Sequence, residues 1–361
     1  SAPATPSGIH PTRTTYSDAG VSGVTDNNLA SINDVLATSA VFSNNVNTSV
    51  KVQTLVDAYK TILQMADGVS GNATQQVHMA DLTTIGVDTS ALQSAANTSQ
   101  RLSLLNNLLD AQSTTGVDSV HEVDQLIRIV NAIQDQAAGI TPSYTLTAAD
   151  FATIGLQGVS SSNLAAWMTA IAATANDGSE VNTQSKLQQR FYDSLNLTLS
   201  GISSDTGIST TDFITNDNTL RFAGTSSAQD GTTVKLTLTP SVGGAITFTT
   251  TVSNGAWQAT YATALSDGVY SITTQLLDAN QTVIRTANAR TLSVDTSDSL
   301  LANGNNDTDI AGQTIAFTAI SPDTGFSNSD FKTSSQLLVF SGKQHVEDLL
   351  LQSEPKGPIS L

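Results

Sequence analysis

The sequence predicts a multidomain α-then-β fold class: an N-terminal all-α region of helical-hairpin repeats, an antiparallel β-sandwich, and the start of a second sandwich. Three observations predict it. Residues 202–224 (ISSDTGISTTDFITNDNTLRFAG) and 320–342 (ISPDTGFSNSDFKTSSQLLVFSG) align without a gap, 118 residues apart. The stretches YSDAGVSGVTDNNLASINDVLAT from Tyr16 and FATIGLQGVSSSNLAAWMTAIAA from Phe151 align in the same way. Near residue 197 the apolar period changes from about 3.6 residues to 2. Modules copied in series need only their neighbours for stability and commonly serve as spacers or binding arrays. That weighs against a single-site enzyme.

The helical region is read over residues 14–196, after an N-terminal extension at 1–13. Val52, Leu55, Val56, Tyr59, Ile62 and Leu63 lie on one helical stripe. Val123, Leu126, Ile127, Val130 and Ile133 repeat that stripe 71 residues later. Thr48–Ser49 and Asp118–Ser119 are the expected N-caps, and Gly68 and Gly139 the expected C-terminal caps. A shorter helix is predicted before each long one, starting near Asn28–Leu29, Ser90–Leu92 and Asn163–Leu164. A glycine turn precedes it at Gly20 and Gly23, at Gly86, and at Gly155 and Gly158. The second unit has lost about three residues in this turn. A weaker third long helix covers roughly Asn182 to Ser194.

The sandwich is read over 197–295. Val234, Leu236 and Leu238 alternate with polar residues, as do Ile246 and Phe248. Turn signals Asp230-Gly231, Gly243-Gly244, Asn254-Gly255, Asp267-Gly268 and Asp278–Asn280 separate about seven strands. A polar linker is expected at 296–313, the start of a second sandwich at 314–342, and a divergent tail at 343–361. The chain opens SAPATPSG, without initiator Met or signal peptide, and is expected to be an internal or processed piece.

Charged residues are 12% of the chain, about half the usual share, and the net charge is −17 with only 14 Lys and Arg. So few cations exclude phosphate neutralisation, hence nucleic-acid binding. The acidic side chains need hydration or cations, and outside the cell the hard ion Ca²⁺ suits oxygen ligands. The absence of Cys excludes disulfides, thiolate metal sites and cysteine nucleophiles. No apolar run is long enough to span a membrane.

The motif I-S-x-D-T-G-x(4)-D-F-x-T runs from Ile202 to Thr215 and again from Ile320 to Thr333. It resembles the opening of the bacterial immunoglobulin-like domains that stand in tandem in giant secreted adhesins and biofilm-associated surface proteins. Leu292-Ser293-Val294-Asp295-Thr296 is similar to the V-D-T hinge between such modules. The helical units, with their glycine turn before Asn-Leu-Ala, resemble helical repeats that accompany them. The resemblance implies a rod-like, calcium-stiffened stretch of an extracellular, cell-surface protein, without catalytic activity, that extends or presents a binding region. Its partners would be neighbouring modules or other copies, or host-cell or matrix glycans and proteins. Two rival readings are a self-assembling surface-layer or filament subunit and a carbohydrate-binding accessory region.

Asp205 and Asp212 recur as Asp323 and Asp330, seven apart around a Thr-Gly turn. Two or three carboxylates with backbone carbonyls suit a Ca²⁺ cage, with Asp217 and Asp295 as further ligands. The alternative is turn chemistry alone, each Asp bonding nearby backbone. Ser334 and Ser335 replace Asn216 and Asp217 in the second copy. Asn303, Asn305, Asp307 and Asp309 alternate like a calcium loop but lack the EF-hand Gly and Glu, which favours solvated linker. The four histidines show no zinc spacing and no serine elbow is present. Trp167 and Trp257 are expected in cores.

Overall fold

A computed structural model describes residues 10–41, 43–93, 97–206 and 209–296, with the backbone of 314–321 and 339–345. The chain divides into two compact units: residues 1–196 with 227–229, and residues 197–226 with 230–361.

The first unit holds nine helices among the described residues: α1 (Arg13–Asp18), α2 (Leu29–Ala37), α3 (Ser49–Met65), α4 (Met79–Thr84), α5 (Thr98–Ala111), α6 (Val120–Ala137), α7 (Ala148–Thr153), α8 (Leu164–Ala172) and α9 (Gln184–Ser194). They form three copies of one pattern: a short leading helix, a second helix, a 3₁₀ turn and a third helix. Copies one and three keep one offset: α1 and α7 begin at 13 and 148, α2 and α8 at 29 and 164, α3 and α9 at 49 and 184.

The leading helices are the part sequence periodicity did not reveal. Each buries one large side chain: Tyr16, Leu82 or Phe151. Each starts with a reciprocal capping arrangement, Thr12 with Thr15, His78 with Asp81, and Thr147 with Asp150. Each ends in the same left-handed glycine cap. The N–H of Gly20, Gly86 and Gly155 bonds three residues back, and that of Val21, Val87 and Leu156 five back, onto the carbonyl of the buried residue. Only glycine takes this backbone conformation without cost, which is why the glycines recur.

Two expectations for the middle copy need correction. Ser90 to Gln93 forms a hydrogen-bonded turn, and the second helix, α5, starts at Thr98 and runs 14 residues against nine in α2 and α8. The turn before it is two residues shorter than in the other copies. Leu29, Gln93 and Leu164 donate to Thr25, Thr89 and Ser160, yet Thr25 and Ser160 lie four residues past the cap valine or leucine and Thr89 only two. Of the expected C-caps, Gly139 closes α6, through Ile140 N–H to Asp135 O at 2.9 Å. Gly68 does not cap α3, which ends at Met65; its N–H donates to Gln112 O at 2.8 Å and ties two copies together.

The predicted stripes form the core. Leu55, Val56, Tyr59 and Ile62 of α3 and Val123, Leu126, Ile127, Val130 and Ile133 of α6 are buried. Burial of each such aliphatic or aromatic side chain contributes roughly 1.5–3 kcal/mol. Trp167 sits edge-on between Phe151 at 5.9 Å and Phe191 at 5.7 Å. Arg101, 1% exposed, bonds Asp135 at 2.5 Å and Asn131, pinning α5 to α6. The row Leu55, Ala58, Tyr59 of α3 is buried, as is its counterpart Leu126, Ile129, Val130 of α6. In α9 the same row reads Arg190, Asp193, Ser194, polar and none of them buried.

The second unit contains β1 (Gly201–Ile202), β2 (Ile214–Thr215), β3 (Arg221–Thr225), β4 (Thr233–Pro240), β5 (Ile246–Thr251), β6 (Ala256–Thr260), β7 (Gly268–Leu277), β8 (Val283–Thr286) and β9 (Arg290–Val294). One sheet is β1-β3-β6; the other runs β2-β9-β7-β4-β5, with β8 also on β7. Among the described residues nine strands stand where about seven are predicted: β1 and β2 are short and lie in different sheets, and β8 and β9 both edge β7. β2 joins β9 in parallel, while the other pairings are antiparallel. Val234, Leu236 and Leu238 point inward with Phe222, Tyr270, Ile272 and Leu292. Asn254 and Gly255, at φ 52° and 75°, make the tight turn expected between β5 and β6.

Gly224 explains the glycine that closes the repeated motif. It pairs with Trp257 across β3 and β6, and Trp257 Nε1 donates to Thr198 O at 3.1 Å. A Cβ at Gly224 would overlap Thr198 O and meet two ring atoms of Trp257 at 2.5 and 2.7 Å.

The second copy repeats this pairing. β10 (Thr314–Ser321) and β11 (Val339–His345) are antiparallel, with Ile320 opposite Phe340 and Ala319 opposite Ser341. In the first copy Ile202 stands opposite Phe222 and Gly201 opposite Ala223, so every partner is shifted by the repeat offset. The bridge Leu197–Ser226 is likewise matched by Ile315–Gln344. The register therefore runs past Gly342, where sequence similarity stops, and Lys343 to His345 of the expected tail belong to the strand. The linker residues Asn303 to Asp309 lie outside the described residues.

Candidate functional site

The segment between β1 and β3 carries the repeated carboxylates. Asp205 Oδ2 accepts from Phe213 N–H at 3.0 Å, and Asp212 Oδ1 accepts from Ile214 N–H at 3.1 Å. These bonds hold Phe213 at φ 65°, a conformation costing a bulky residue about 1–3 kcal/mol elsewhere. The Arg290 guanidinium lies 5.5 Å from the Phe213 ring centroid. Thr206 N–H donates to Ile214 O at 3.1 Å, Asn216 N–H to Thr206 Oγ1 at 2.9 Å, and the fully buried Thr215 hydroxyl to Ser204 O. Asp212 thus performs the turn chemistry read from the sequence, whereas Asp205 reaches eight residues along the chain to close a wider loop.

They also meet. Burial pushes the Asp205 carboxyl above its usual range, and the neighbouring Asp212 carboxyl pushes it further. Asp205 Oδ1 is buried without a hydrogen-bond partner. Two acids in contact around an orphaned oxygen suit one shared proton or one hard cation, which these two carboxylates would hold.

The other candidates sit nearby in the fold but are differently engaged. Asp217 Oδ1 accepts from the N–H and hydroxyl of Thr219 at 2.9 and 3.0 Å, and these bonds hold its carboxyl below the usual range. Asp295 N–H donates to Thr215 O at 2.9 Å, which brings Asp295 to the same end of the parallel β2–β9 pair. Among the described residues no group of three His, Asp or Glu side chains converges at metal-holding distance. Asp323 and Asp330 lie outside the described residues. Sequence reading missed Asp267, taken only as a turn residue: its carboxylate accepts from Thr296 N–H and Oγ1, each at 2.9 Å, and clamps the exit of β9.

Both tryptophans are buried, Trp167 at 0% and Trp257 at 2% exposure, so neither offers a sugar-stacking face. No helix among the described residues is long and apolar enough to cross a membrane.

Residues 196–296 match the family described as bacterial Ig-like domain, so this sandwich is a bacterial Ig-like domain preceded by a helical region. Such domains are typical of bacterial surface proteins. No curated protein matches the chain.

Proposed function

We propose that the chain is a structural, adhesive stretch of a bacterial surface protein, extending or presenting a binding region by its shape and carrying no catalysis. The observation behind this reading is the second β-pair that repeats the first residue for residue, Ile320 opposite Phe340 as Ile202 is opposite Phe222. Serial copies of one module add length more directly than they add chemistry. The helical region follows the same logic, with three copies of one pattern. Partners on this reading are neighbouring modules or other copies, and host or matrix glycans or proteins.

Ca²⁺ is part of the proposal. Asp205 and Asp212 would hold it, with Asp217 and Asp295 as further candidates, and it would supply charge neutralisation where two carboxyls are pressed together. The test displays a peptide tag on bacteria at the end of either this chain or a Gly/Ser linker of equal length, and counts capture on tag-binding surfaces under flow. Capture rising with the chain and falling on chelation supports the reading. Capture no better than with the flexible linker refutes the spacer role.

A further inference from the structure

The three helical copies differ at one further place, which is open among the described residues. In copy one, Gln53 clasps the turn after the leading helix: Oε1 accepts from Ser22 N–H at 2.8 Å and Nε2 donates to Ser22 O at 3.1 Å. In copy three, Gln188 does the same to Gln157, at 2.7 and 3.1 Å. Gln184 adds a second plug, donating to Ile154 O at 2.7 Å. The middle copy has Asp124 where these clasps stand and Val120 where Gln184 stands. Asp124 pairs with Arg128 instead of the turn. The turn itself is the one shortened by two residues.

Without the glutamines, a cavity of about 1010 Å³ opens between α2, the Gly86–Asp88 turn and α6. This lies at the upper end of the range for ligand pockets, roughly 300–1,000 Å³. Small apolar side chains line it, the exposed Ala30 and Ala37 with the buried Val87 and Val120. Four carboxylates line it with His10 and His121: Asp26 pairs with Arg13 at 2.8 Å, Asp124 pairs with Arg128, Asp34 accepts from Val120 N–H at 2.9 Å, and Asp88, held ionised, accepts from Ser90 N–H at 2.9 Å. The lining cation Arg128 is occupied by Asp124, and the whole chain carries a charge of −17.

We propose that this cavity binds a short peptide segment of a partner protein bearing lysine or arginine among small apolar residues. The small alanine side chains on α2 let a peptide backbone approach closely. Asp34 and Asp88, which no arginine pairs, meet the cationic side chains, and the negative field of the chain draws such a segment in. The cavity is too large for a lone amine to fill, which favours a peptide over a small polyamine.

The test is calorimetric titration of the full chain with the acetylated, amidated pentapeptide Ala-Lys-Ala-Lys-Ala, with the Gln-for-Lys peptide and spermidine as comparison arms. Saturable one-site binding of the lysine peptide alone is expected. The double variant Val120→Gln with Asp124→Gln places the copy-three glutamines in the cavity and frees the Arg128 cation to repel the peptide, and should weaken binding about tenfold or more. Asp88→Asn, on an exposed turn, should weaken it in the same direction while the helical unit still melts cooperatively above the titration temperature. Absence of saturable binding, equal binding of the glutamine peptide, or wild-type affinity in both variants would overturn the proposal. Spermidine binding as tightly as the peptide would show that charge alone is read, and would overturn it too.

Discussion

Replacing Gly224 by Ala should loosen the sandwich at its most crowded crossing. The added Cβ would overlap the Thr198 carbonyl oxygen and reach within 2.5–2.7 Å of the Trp257 ring. The first obstacle is backbone and the second is a ring that is 2% exposed, so neither yields cheaply. Overpacking of this kind costs about 1–3 kcal/mol. Relief by tilting the indole breaks the 3.1 Å bond from Trp257 Nε1 to Thr198 O. That bond contributes about 1 kcal/mol more. Each kcal/mol shifts a domain of about 100 residues by roughly 4–8 °C, so the sandwich transition should fall by at least about 8 °C. Calorimetry of the full chain reads it, with circular dichroism at the helical band as internal control, because the helical transition should stay in place. Trp257→Phe in the same background should make Gly224→Ala less costly, since the smaller ring vacates the space. A Gly224→Ala protein whose sandwich melts within 1–2 °C of wild type, a shift worth well under about 1 kcal/mol, would refute the close-approach reading.

The Asp205–Asp212 pair has a pH signature. Because the folded protein raises the Asp205 pKa, its proton is bound more tightly when folded. The resulting stabilisation is present below the ordinary carboxyl value of 3.8 and is lost as pH rises through the raised value. Asp205→Asn should therefore raise the sandwich melting point at pH 7 and abolish any rise in melting point that Ca²⁺ gives the wild type, as the proposed site requires; a lower melting point at pH 7 would count against the pair being mutually repelled. Asp67, Asp88, Asp177 and Glu180 in the helical unit have lowered values from backbone and side-chain hydrogen bonds, so they stabilise above the ordinary carboxyl range and release that stability on acidification. In the sandwich the lowered Asp217 is offset by the raised Asp205, so melting from pH 7 to pH 3 should destabilise the helices more than the sandwich. Arg101→Ala should cost about 3–5 kcal/mol by stranding Asp135, and the double change Arg101→Met with Asp135→Leu should recover most of it by chemical denaturation. Gln53→Ala should speed amide exchange at Ser22 without touching Gln157, a local effect of about 1 kcal/mol.

The long helices and the sandwich strands were legible because each carries one uninterrupted apolar period, as in Leu55–Tyr59–Ile62 or Val234–Leu236–Leu238. The leading helices span under two turns, too few for any period to show, and only the Thr147–Asp150 type of reciprocal cap marks them. α5 was misplaced because the middle copy was read with the spacing of its neighbours. Its own stripe, Arg101, Leu104, Leu105, Leu108 and Leu109, is in the sequence and is buried in the structure. Of the candidate site, the spacing of Asp205 and Asp212 was visible, but their contact depends on the left-handed turn at Phe213, which no residue type announces. Asp267 was hidden for a different reason: the Thr296 it clamps lies 29 residues away. The cavity beside α6 arises from what the middle copy lacks, and becomes apparent only when Gln53, Asp124 and Gln188 are seen in equivalent places.

The parallel union of β2 with β9 has a mechanical corollary. It joins the strand near the entrance of the sandwich to the strand at its exit, through Ser293 N–H to Phe213 O and Asp295 N–H to Thr215 O, both at 2.9 Å. Tension drawn along the chain pulls these two strands in opposite directions along their own axes. The bonds between them then share the load and must yield together, in shear, instead of parting one by one like an unzipped hairpin.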